Sequence, residues 1–159
     1  MSKSYITLFI LFVSIITLSC TKKVDQKSEV ITINNTRPIN ELKDLVLKKG
    51  DTIAYDELGT AFLNEKHEEE YLVYSLIMAN KYKYKSAYYY VYDCLLLPFD
   101  RDKIEVDEKT KALALEYLLK GVELNEHQAM SALGDLYMTG TYVPKDTLKG
   151  QSLIHKSWE

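Results

Sequence analysis

Glycine and proline are scarce in this sequence. Six glycines and three prolines in 159 residues leave long stretches without a turn signal, which disfavours a chain of many short strands and favours helices. Basic residues are not in excess: 20 Lys and Arg stand against 23 Asp and Glu, so nothing gathers the positive charge that a nucleic-acid backbone demands. Histidine is rare, and His67, His127 and His155 are too far apart to share a metal by local spacing. "HEEEY" at 67–71 lacks the second histidine of a zinc-protease helix. No glycine-rich phosphate loop occurs, and neither Ser75 nor Ser86 sits in a nucleophile elbow. The acidic stretch "DRDKIEVDE" at 100–108 has no glycine for the sharp turn of a calcium loop, and reads as a solvated loop whose Asp107 starts a helix. The expectation is a protein without catalytic residues, metal or cofactor and without a nucleic-acid partner.

What is present begins with an apolar leader. Lys3 precedes an almost unbroken apolar run from Tyr5 to Leu18, too short for comfortable spanning at about 20 residues per bilayer and of the length of a secretory signal. The run ends in "TLSC", followed by "TKK". Ser19-Cys20 resembles the lipobox of bacterial lipoproteins, with Thr17 standing where that family usually has an aliphatic residue. The resemblance implies a signal peptide over 1–19, acylation of Cys20, and a mature chain that starts there, held by its acyl chains at roughly 0.8 kcal/mol per buried methylene. Thr21, where an Asp would mark inner-membrane retention in such lipoproteins, implies the periplasmic face of the outer membrane. Loss of 1–19 removes one lysine, leaving 19 basic and 23 acidic side chains. Once Cys20 is lipidated, Cys94 has no partner in the chain and a disulfide framework is excluded.

At 47% hydrophobic and 27% charged residues, the remainder reads as globular. Residues 20–38 are polar and aperiodic, a lipidated flexible tether. Residues 39–159 form the helical domain. "INELKDLVLKKG" is a short amphipathic helix with Gly50 at its C-cap, and Asp51-Thr52 supply the next N-cap. The chain then repeats itself. "AYDELGTAF" (54–62), "AYYYVYDCL" (87–95) and "AMSALGDLY" (129–137) share apolar residues at positions one, five, eight and nine, which is one face of a helix. Partner helices are read at 68–82, 110–124 and 146–158, with a long connection at 98–109. In the first two partners Ala79 and Gly121 fall in one register, as do Leu76 and Leu118. Three helix–turn–helix units of this kind bury their faces by stacking.

The stretch "HQAMSALGDLYMTGTYVPKDTLKGQSLIHKS" resembles a Sel-one-like repeat, a relative of the tetratricopeptide repeat, through Ala129, Leu133-Gly134, Tyr137, Gly140, Val143, Asp146 and Lys149-Gly150. Tyr142 stands where the family usually has glycine, and Gly150 where it usually has alanine. The resemblance is closest over 109–157 and thinner over 51–97. It implies an all-α fold, a short right-handed α-solenoid of about three such repeats preceded by a short helix and tether, and a scaffold that holds other proteins.

Six of the thirteen tyrosines lie between Tyr82 and Tyr92. The repeat register sorts them. Tyr90 aligns beside the apolar stripe and is expected in the core. Tyr88 aligns with Tyr55 and Met130 and is divided between core and surface. Tyr89 aligns with Asp56 and Ser131, both polar, so its ring is surplus to the architecture. Tyr92 aligns with Gly59 and Gly134, positions at which the family's paired helices approach, so it must part the helices or lean into a groove. Tyrosine offers a large, stiff ring and a hydroxyl that tolerates water, which suits a contact surface. Tyr84, Tyr88, Tyr89 and Tyr92 are therefore the candidates for partner binding, with aromatic packing as the alternative. Cys94, on the stripe with Ala61 and Leu136, is expected to be a buried, inert thiol. The functional expectation is a protein-binding module, in its sharper form an immunity protein that occludes a secreted bacterial toxin. The alternative is a structural or assembly adaptor of envelope complexes.

Overall fold

The computed structural model describes residues 37–159 apart from residue 65. The expectations for the signal peptide, Cys20 and most of the tether fall outside the described residues. The fold is all-α. Among the described residues there are seven helices and no strand: α1 (Ile39–Lys49), α2 (Thr52–Asn64), α3 (Glu68–Asn80), α4 (Lys85–Asp102), α5 (Glu108–Glu123), α6 (His127–Thr139) and α7 (Thr147–Lys156). Backbones pack closely between chain neighbours, and otherwise only in the pairs α1–α3 and α4–α6.

Local chemistry sets the boundaries. Gly50 ends α1 in the left-handed conformation, φ 64°, and its N–H reaches the Val46 carbonyl at 3.0 Å. The Tyr82 ring lies against Gly50 where a side chain would otherwise project, and its hydroxyl donates to the Leu47 carbonyl at 2.8 Å. Asp51 caps α2 through the Ala54 N–H at 2.8 Å. Asp107 caps α5 through the N–H groups of Lys109 and Thr110, at 3.0 and 3.1 Å, and Asp146 caps α7 through Lys149.

Burial is uniform at the first and fifth positions of the three aligned segments and not at the eighth and ninth, where Ala61, Leu95 and Tyr137 are only partly buried. Ala54, Ala87 and Ala129 are buried, as are Leu58, Val91 and Leu133. Tyr55, Tyr88 and Met130, each following one of these alanines, are buried as well.

Two sequence expectations are corrected. The connection read at 98–109 is shorter, because α4 runs through Pro98 to Asp102. Proline removes the N–H that would bond to the Cys94 carbonyl, a cost the surrounding contacts offset. Leu96 is buried with Val106 and Ala114, Phe99 packs on that cluster, and Arg101 pairs with the buried Glu68 at the start of α3. Lys103, at φ 53°, then ends the helix. The second correction concerns Tyr88, which is only 7% exposed and lies 6.1 Å, centre to centre, from the Tyr117 ring. It belongs to the core and leaves the contact candidates.

Two principal cores result. The first joins α1 to α4 and is aromatic. Tyr55 stacks on Tyr71 at 4.9 Å, the Tyr55 hydroxyl meets Ser75 Oγ at 2.7 Å, and Ser75 donates to the Tyr71 carbonyl. Tyr117 from α5 closes it and accepts from Asn80 Nδ2 at 2.7 Å. The second joins α5 to α7 around Leu118, Ala129, Leu133 and Leu136. There the helices meet through small residues. A Cβ on Gly134 would stand 3.0 Å from the Gly150 carbonyl oxygen, and one on Gly150 would stand 2.7 Å from that of Gly134. Tyr142 has φ 59°, a strained setting for a bulky residue. Its ring packs on both the second and third clusters and its hydroxyl donates to Asp100 Oδ1 at 3.0 Å.

Candidate protein-binding face

Tyr84, the residue before α4, and Tyr89, Tyr90 and Tyr92 within it lie along the seam between the two cores. Tyr84 and Tyr90 pack on the rim of the first, Tyr89 and Tyr92 on the rim of the second, and all four are half-buried. Helical spacing explains the split: from a buried row at Ala87, Val91 and Cys94, residues 89 and 92 fall to one flank and 90 to the other.

Neighbouring helices hold the rings in place. Tyr84 meets Tyr55 edge-on at 5.7 Å, and its hydroxyl reaches Asp56 Oδ2 on α2 at 3.4 Å. Tyr90 sets an edge on Tyr71 at 5.4 Å and on Tyr55 at 6.2 Å. Its expected core placement is thus half met: one edge packs, and the remainder faces outward. Tyr89 bridges to Tyr90 at 5.3 Å and to Tyr92 at 6.3 Å, and its hydroxyl lies 3.5 Å from Asp93 Oδ1 one turn on. Tyr92 also packs on the cluster of Leu96, Val106 and Ala114, as do Leu95, Phe99 and Tyr142. The close helix approach passes instead to Gly121 of α5, where a Cβ would stand 2.7 Å from that of Ala129.

The electrostatics of the face have one sign. Burial pushes the phenols of Tyr89 and Tyr90 above their ordinary value and that of Tyr92 up to about 12. The charges acting on these three are Asp56, Asp93, Asp100, Glu126 and Asp135. The Asp93 carboxyl is itself raised, by burial first and by Glu68 and Asp100 next, against the Tyr89 hydrogen bond. Asp56 is raised by burial. The lysines nearest in sequence are at the helix start: Lys83 and Lys85 are exposed, and Lys81 lies over the Tyr82 ring.

A separate cleft of about 230 Å³ is lined by His127, Gln128, Ser131, Ser157 and Trp158. His127 Nδ1–H donates to the Ser157 carbonyl at 2.7 Å and so fixes the end of the chain, while the Trp158 ring is 84% exposed. Sequence reasoning missed both this cleft and Asp93. The cleft joins residues some thirty positions apart. Asp93 did leave a local trace, since it falls four residues after Tyr89 and so on the same helical face.

Cys94 is buried, and its thiol is pushed up to about 12, chiefly by burial and then by Asp93 and Glu68. Such a thiol is not a nucleophile at neutral pH. Among the described residues no group of three or more His, Cys, Asp or Glu side chains is placed to hold a metal ion, and no helix is long and apolar enough to cross a membrane. No protein-family model, no curated protein and no solved structure matches this chain.

Proposed function

We propose that this chain is a non-enzymatic lipoprotein of the bacterial envelope, anchored through Cys20, that holds a protein partner on the face formed by α2, α4 and α6. Its scaffold is a short solenoid of Sel-one-like helical pairs. The observation that carries the reading is the row Tyr84, Tyr90, Tyr89 and Tyr92: four rings braced by neighbouring helices, each with part of its surface left to solvent. Braced tyrosines give contact area at small entropic cost, which is what a binding surface requires. The sharper form of the reading is an immunity protein at the periplasmic face of the outer membrane that covers the active cleft of a secreted toxin.

Growth rescue tests it. A secreted toxin encoded beside this gene, directed to the periplasm, is expected to arrest cells unless the full chain is present. The pair Tyr84→Ala and Tyr89→Ala is expected to weaken protection, since ring truncations at contact centres cost roughly 1–2 kcal/mol each or more. Arrest that the full chain does not relieve ends the immunity reading and leaves the adaptor role for the same face.

A further inference from the structure

The charge on this face narrows what it holds. Among the described residues five acidic side chains are not exposed: Asp51, Glu57, Glu68, Asp93 and Glu126. Four have strong partners. Asp51 and Glu126 cap helices through backbone N–H groups at 2.8 and 2.6 Å. Arg37 Nη2 meets Glu57 at 2.6 Å, and Arg101 pairs with Glu68. Asp93 is the exception. Its one hydrogen bond comes from the Tyr89 hydroxyl at 3.5 Å, the long limit for such a contact, and no lysine, arginine or histidine of the described residues is within ion-pair distance. A carboxylate drawn partly out of water without a cation costs free energy that folding alone does not repay. The same face carries Asp56 on α2 and Asp135 on α6 in the flanking registers, both exposed and neither in an ion pair.

We infer that the partner is a protein that presents a lysine- or arginine-bearing segment to this face, with one cationic side chain seated on Asp93 between the Tyr89 and Tyr90 rings. The inference rests on the binding reading above and specifies the chemistry of the partner. An arriving guanidinium or ammonium supplies the counter-charge that no described residue gives Asp93. Aromatic rings flanking the carboxylate favour a cation further. Opposed charge of this kind also steers encounter, so association falls with added salt.

The probe is a ten-residue lysine peptide titrated into the full chain, with a ten-residue glutamate peptide as its counterpart and amide and tyrosine-ring NMR signals as the readout. The lysine peptide is expected to move the signals of Tyr84, Tyr89, Tyr90 and Gln128, and the glutamate peptide to move none of them. The triple variant Asp56→Asn, Asp93→Asn, Asp135→Asn is expected to bind the lysine peptide about tenfold more weakly, with a shallower salt dependence. The matched control Glu69→Gln, Glu116→Gln, Glu123→Gln makes the same change in net charge on α3 and α5 and is expected to change affinity less than about twofold. Equal losses in the two variants, or shifts centred on α3 and α5, overturn the inference. Photo-cross-linking from position 89 in the producing cells separates the two levels. A partner caught there through a segment without lysine or arginine overturns this inference alone. Absence of any partner overturns the binding reading with it.

Discussion

The two cores of this protein are built from similar helices in different ways. Between α1 and α4 the space is filled by rings, and each buried hydroxyl is given a partner, as the Tyr55–Ser75–Tyr71 chain shows. Between α5 and α7 the space is closed instead, with backbones drawn together at Gly121, Gly134 and Gly150. Helix α4 joins the two schemes: Ala87, Val91 and Cys94 lie in the first core, while Tyr89 and Tyr92 pack on the second. It carries the partly exposed Tyr89, Tyr90 and Tyr92. Where the packing style changes, rings that one core does not fully enclose and the other does not need are left at the rim. The seam is therefore a structural transition, and the proposed contact face lies along it.

Breaking each scheme separately sharpens the contrast. The largest effect is expected in the aromatic core: Tyr71→Ala should lower unfolding free energy by about 3–5 kcal/mol, read by denaturant titration, because it empties a site 1% exposed. Next comes the closed core. A glycine-to-alanine change inside a helix usually gains up to about 1 kcal/mol, but in Gly150→Ala the added methyl meets the Gly134 carbonyl, and overpacking costs about 1–3 kcal/mol. A net loss of about 1–2 kcal/mol is expected, and a gain would show that α6 and α7 are not held in contact there. Tyr55→Phe removes one hydroxyl while Ser75 keeps its bond to the Tyr71 carbonyl, so about 1 kcal/mol is expected.

The seam is expected to respond with the opposite sign. Burial raises the Asp93 carboxyl, so the folded state holds its proton more tightly than the unfolded chain does. Its cost is absent below the ordinary aspartate range near 3.9, grows as pH rises towards the raised value, and is complete above it. Asp93→Asn should therefore raise the melting temperature at pH 7, and the advantage over the parent should vanish in acid. Glu68, held low by its hydrogen bonds and Arg101 against the opposing effect of burial, behaves in reverse. Its contribution is present above the ordinary glutamate range and is lost as pH falls through its depressed value, so Glu68→Gln should destabilise at pH 7. The smallest effect, within about 0.5 kcal/mol, is expected for Trp158→Ala, whose ring packs little in the free protein.

Much of the fold was legible because apolar spacing and caps act locally. Ala54, Ala87 and Ala129 announced one register, and Gly50, Asp51 and Asp107 marked helix ends that the structure keeps. Pro98 misled because its local cost is outweighed by tertiary contacts through Leu96, Phe99 and Arg101, which no local rule contains. The contact face was legible only in part. Tyr89 stood out against the polar residues at its register. The burial of Tyr88 depends on Tyr117, 29 positions away, and the lack of a cation beside Asp93 among the described residues depends on tertiary placement, with Arg37 and Arg101 paired to Glu57 and Glu68 instead.

Cross-linking from within the domain tests the central claim most directly. A photoreactive residue placed at 89 on the seam, and separately at Val73, which is 53% exposed on α3, would be activated in the producing cells. The account predicts a discrete protein adduct from position 89 and none from position 73. An adduct from 73 with none from 89 would contradict it.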